Sequence, residues 1–178
     1  MSLEYDINND VMEIVDIKVS RYQSLLRGAL VSQGQQWILI EDNPVDYVLD
    51  GYSFINKKYV KHVSLCGHES ITYKIISQKY QKRDFCKLDN YFELIDYLRN
   101  NNLLITIGLS KQESILVGHI KKINSVSFKF HPLSVTLEHL DVMDIRYDQI
   151  RFINVNSDYL SSISNYLTKT GEEQFNLL

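Results

Sequence analysis

Cations interleaved with aromatic rings are concentrated in one part of this 178-residue chain. Lys57, Lys58, Tyr59, Lys61 and His62 fall within six residues, and Lys74, Lys79, Tyr80, Lys82 and Arg83 extend the stretch. Phosphates attract cations and bases stack on aromatic faces, so the pattern points to single-stranded nucleic acid. The same residues also suit a hairpin whose lysines discourage edge pairing. The charge is uneven along the chain. Residues 57–87 hold eight basic and two acidic residues, whereas residues 1–56 hold three basic and nine acidic ones. Such asymmetry marks either an interaction face or two stretches that neutralise each other in the fold.

Other reactive side chains lack the spacing that chemistry requires. Cys66-Gly67-His68, with His62 and Cys86, supplies metal-capable atoms, but zinc needs four converging ligands, commonly from paired short motifs. Glu41, Asp42, Asp46 and Asp50 surround Asn43-Pro44 without the spacing or bidentate glutamate of a calcium loop, so a solvated turn is expected. His119, His131 and His139 have no serine or cysteine to pair with, and His131-Pro132 reads as a strand end. No phosphate loop, dinucleotide fingerprint, metalloprotease helix or nucleophile elbow occurs. The expectation is therefore a non-catalytic protein with no metal and no cofactor. Two cysteines without a CxxC pair make no disulfide framework. The acidic start lacks the form of a signal peptide, and apolar runs are too short to span a bilayer. A cytoplasmic protein with reduced, buried thiols is expected.

The elements that must carry these residues form a repeat. A shift of 90 residues places Ser24–Gly28 on Ser114–Gly118, Leu30 on Ile120, and Ile38 and Ile40 on Phe128 and Phe130. It also places Ile55 on Ile145, and Val60, Val63 and Leu65 on Ile150, Ile153 and Val155. The hydrophobic pattern repeats, with glycine on glycine at Gly28 and Gly118, both read as structural. Each copy reads as five short strands. They cover 14–20, 25–31, 37–41, 52–55 and 60–65, then 103–109, 115–123, 127–131, 143–146 and 150–155. Helices are expected at 90–100, capped by Asp89, and at 157–168, capped by Ser157 or Asp158. Residues 70–80 suit a helix or a strand, because Ile71, Thr72, Ile75 and Ile76 are β-branched. The boundary is expected at the polar stretch 81–88, giving units of 1–84 and 85–178. Five short strands in about 70 residues, twice over, predict a mainly β protein of two tandem five-stranded barrels, since closure removes exposed edges.

The second copy resembles the Sm-like fold, including its bacterial RNA-chaperone branch, on LLITIGL (103–109), SILVGHIKKI (114–123) with Gly118, and DIRYDQIRFINV (144–155). An SH3-like barrel reads in the same way. The resemblance implies a helix followed by five bent strands. It also implies association edge to edge through the fourth and fifth strands, with 143–155 as one edge and 52–65 as its match. A tandem pair satisfies this internally, as a built-in dimer. The RNA-chaperone branch stacks a base on an aromatic residue, where this chain has Gln36 and Val126, and uses a Lys-His pair, where it has Tyr147-Asp148-Gln149. The leading expectation is thus an interaction or assembly module that binds a protein partner or itself through barrel edges. The alternative is RNA binding through Lys57, Lys58, Tyr59, Lys61, Lys79, Tyr80, Lys82 and Arg83.

Overall fold

The computed structural model describes residues 12–81, 83–111 and 114–170. The chain is mainly β. Its first five strands are β1 (Ile14–Val19), β2 (Leu25–Gln33), β3 (Trp37–Asp42), β4 (Tyr52–Asn56) and β5 (Val60–Leu65). The next five are β6 (Ile105–Leu109), β7 (Ile115–Ile123), β8 (Ser127–Pro132), β9 (Met143–Arg146) and β10 (Ile150–Val155). All ten join one open antiparallel sheet in the order β5-β1-β2-β3-β4-β10-β6-β7-β8-β9.

The 90-residue repeat holds at the level of strand register. Val15 faces Gly28 and Leu65 as Ile105 faces Gly118 and Val155. Trp37 faces Asn56 as Ser127 faces Arg146. The bulges repeat too, at Leu30/Ser32 and Ile120/Lys122. In the fifth strands the pairing skips Lys61 and, at the equivalent place, Arg151. The repeated glycine has a steric cause at these registers. A Cβ on Gly28 would collide with the Glu41 carbonyl, and one on Gly118 with the His131 carbonyl. Each second strand lies against the third too closely for any side chain.

Burial follows position in the sheet. The three central strands, β4, β10 and β6, are buried almost throughout, while at the two ends β5 is mostly exposed and β9 half exposed. One hydrophobic cluster takes residues from both halves, including Trp37, Phe54, Ile107, Phe128 and Ile153. The halves therefore share a core as well as a sheet.

Among the described residues three α-helices flank the sheet: α1 (Ile71–Ile76), α2 (Tyr91–Asn100) and α3 (Asp158–Thr170). The ambiguous segment 70–80 is settled as a short helix. Ser70 accepts a hydrogen bond from the Tyr73 amide, and buried Ile76 anchors the far end, so capping and docking outweigh β-branched propensity. The cap of α2 is Asn90 rather than Asp89. Asn90 accepts from Glu93 N at 2.9 Å, whereas Asp89 accepts from Gln35 N and ties the helix entry to the β2–β3 turn. Ser157 caps α3 through Leu160 N. The stretch 81–88 is less polar in its packing than in its composition. Leu88 is buried, and its carbonyl accepts from the amides of Gln36 and Trp37. Cys66 and Cys86 are half-buried free thiols rather than fully buried ones. No helix among the described residues is long and apolar enough to cross a membrane.

Candidate assembly edges

The basic-aromatic residues fall into separate places. Lys57, Lys58 and Tyr59 form a 3-10 turn between β4 and β5, capped by Asn56, whose Oδ1 accepts from Lys58 N. Burial lowers the Lys57 pKa against the pull of Asp89. The Lys58 ammonium lies 5.4 Å from the Tyr59 ring centroid, and both side chains donate to the Asp148 carbonyl of the second half. Lys79 instead donates to the Tyr47 carbonyl, and Tyr80 to the Leu30 carbonyl. Arg83 acts electrostatically on Glu41 and Tyr52. Lys82 lies outside the described residues. Lys61 and His62 are exposed on β5. The stretch is thus drawn out along the first half, with many of its polar atoms bonded within the chain.

The metal-capable residues have other partners. Cys66 Sγ lies 3.2 Å from Ser70 Oγ, and His68 stacks on Tyr73. His131 stacks on His139 with ring centroids 4.2 Å apart. Burial, then His139, lowers the His131 pKa. His119 is buried. Among the described residues no group of three or more His, Cys, Asp or Glu side chains is placed to hold a metal ion.

The arrangement with most to say about function is the joint at the centre of the sheet. There the fourth strand of the first copy, β4, pairs with the fifth strand of the second, β10. Phe152 faces Ile55, Ile153 faces Phe54, Asn154 faces Ser53 and Val155 faces Tyr52. Asn56, fully buried, pins the joint by donating its Nδ2 to the Ile150 carbonyl at 2.7 Å. Arg151 is also buried, at 1% exposure. Its guanidinium donates to the carbonyls of Ser20 and Arg21 in the β1–β2 turn and lies over the rings of Tyr22 and Phe152. Sequence reasoning missed Arg151, because a basic residue in a strand reads as surface. The available signal was its place in the repeat, opposite Lys61.

The strands equivalent to β4 and β10 are β9 and β5, and these two are the ends of the sheet. Val142 and Leu65 are 50% and 56% exposed, while their counterparts in the joint, Tyr52 and Val155, are 4% and 0% exposed. Leu140 and Val126 add exposed apolar surface in the β9 half. The chain matches no known family, no curated protein and no solved structure.

Proposed function

We propose that this protein is a non-catalytic assembly module of two tandem Sm-like or SH3-like barrels, each half curling its five strands on itself. Its two sheet ends join copies of the chain head to tail. The reading is supported by the β4–β10 joint, because the two equivalent strands, β9 and β5, form the two ends of the sheet, β9 paired with β8 and β5 with β1. Repeating that joint between chains sets Val142 against Leu65, Met143 against Ser64, Asp144 against Val63 and Ile145 against His62. Lys61, standing where Arg151 stands, then reaches the carbonyls of Ser110 and Lys111 in the neighbouring chain. The contact joins two different surfaces, so it propagates until a ring closes. Strand addition supplies the main-chain hydrogen bonds.

Sedimentation velocity of the full chain between about 5 and 200 µM tests this, a range that spans micromolar association. Species larger than a dimer are expected, with reversion to monomer in Leu65→Lys and in Val142→Lys. A wild-type chain that stays monomeric throughout overturns the reading. Exposed Lys61 and His62 favour RNA as the second reading. Salt-dependent binding of single-stranded RNA that is lost in Lys57→Glu/Lys61→Glu and kept in Val142→Lys would establish it in place of assembly.

A further inference from the structure

Where the β3–β4 loop meets the start of α3, a cleft of about 620 Å3 opens in the surface. Its volume is in the range of small-molecule sites. Tyr22, Leu25 and Leu26 of the β1–β2 hairpin supply an apolar wall. Arg27, the one cation lining the cleft among the described residues, is held by both carboxylate oxygens of Asp16, at 2.6 and 2.8 Å. What remains is a set of acceptors. Asp46 and Asp50 lie in the loop, and Asp42 lies at the end of β3, where Ser53 Oγ donates to it at 2.6 Å.

Two buried amide oxygens in the same lining have no donor among the described residues. Asn43 is only 4% exposed, and its Nδ2 donates to the carbonyls of Asp46 and Val48, both at 2.8 Å. Its Oδ1 has no hydrogen-bond partner. Asn154 faces Ser53 across the joint, and its Oδ1 is likewise buried and unpartnered. Orphaned acceptors of this kind are rare in folded proteins and costly to keep. Two of them lining one acidic cleft point to a donor from outside the chain.

We propose that this cleft binds a small organic cation, an alkyl guanidinium or ammonium compound, which donates N–H groups to Asn43, Asn154 and the aspartates and lays its aliphatic arm on Leu25 and Leu26. The site is independent of the assembly reading, since it uses neither sheet end. Asp42 gives the binding a pH signature. Burial and nearby Asp50 push its pKa up to about 7, against the opposing effect of the Ser53 hydrogen bond. The other charged groups around it are Asp46, the Asp16–Arg27 pair and, through its amide on Asp50, Asp158 of α3. A bound cation favours the ionised carboxyl, so binding strengthens as pH rises through this range.

Calorimetric titration of the full chain with agmatine tests the proposal. Saturable binding is expected at pH 8, about tenfold weaker at pH 6 where Asp42 is mostly protonated. Asp42→Asn should weaken binding about tenfold at pH 8 and abolish the pH dependence. Asp46→Asn, on the loop, should weaken it without touching the fold, and a neutral amide of equal length should not bind. Absence of saturable binding at millimolar agmatine, or equal binding by wild type, Asp42→Asn and Asp46→Asn, overturns the proposal.

Discussion

Asp42 should make the protein less stable as pH rises, and replacing it with asparagine should remove that loss. Its carboxyl ionises at about 7 in the folded chain against an ordinary value of 3.8, chiefly because burial penalises the charge. A raised acid pKa means that the folded state holds the proton more tightly than the unfolded one. The resulting stabilisation is fully present below about 3.8 and is lost as pH climbs to and through 7. A shift of roughly three units, at about 1.4 kcal/mol each, gives about 4 kcal/mol between pH 4 and pH 8. Asparagine keeps an oxygen to accept from Ser53 Oγ and carries no charge to desolvate. The stability of Asp42→Asn relative to wild type should therefore rise by up to about 4 kcal/mol across that range, mostly between pH 4 and 7. Urea denaturation followed by circular dichroism measures it. Guanidinium is unsuitable because it belongs to the proposed class of ligand. Taking the difference between the two proteins removes the titration of every other carboxylate. A difference that stays flat within about 0.5 kcal/mol, or that favours wild type at pH 8, would refute burial as the dominant influence on Asp42.

The joint and the repeated glycines yield two further predictions. Asn56→Ala leaves the buried Ile150 carbonyl without its donor and removes the cap acceptor of Lys58 N. A loss of about 2–4 kcal/mol in urea denaturation is expected, and a loss under about 0.5 kcal/mol would show that water replaces both bonds. Gly28→Ala and Gly118→Ala each force a Cβ against a backbone carbonyl, so each should destabilise by about 1–3 kcal/mol, with near-additive effects in the double variant. Gly67→Ala, with open space around the added atom, should stay within about 0.5 kcal/mol of wild type and serves as the control.

The strands were legible because each is short and apolar on a two-residue period, and the repeat was legible because register is written in that period. Gly118 on Gly28 already encoded the close approach that both copies require. The cap of α2 was misplaced by one residue, since Asp89 and Asn90 are equally good caps in sequence and the choice depends on Gln35, 54 residues away. The shared core was less visible. Apolar residues on β4 and β10 look the same whether they fill the core of one half or the seam between the two halves. Arg151 was hidden for the same reason, because its partners are carbonyls of the β1–β2 turn some 130 residues earlier. Asp42 read as part of a solvated turn, and only Ser53 and the packing around it make it a perturbed acid.

The two copies differ most where the joint does, and the differences have a direction. At the inner joint the facing strands carry Phe54 and Phe152, which are fully buried. At the sheet ends the same repeat positions carry Asp144 and His62, both exposed. Arg151, locked over Tyr22 and Phe152, is matched by Lys61, a more mobile and more strongly hydrated cation. The inner contact thus has the apolar character of a permanent interface, whereas the sheet ends add exposed charged residues, which suits the reversible contact proposed above. If assembly occurs through these ends, it should depend on concentration and salt in the micromolar range, while the β4–β10 joint persists until the whole chain unfolds. A salt series in the sedimentation experiment separates the two: oligomers insensitive to salt up to about 0.5 M would mean that the chains meet through some surface other than Lys61, His62 and Asp144.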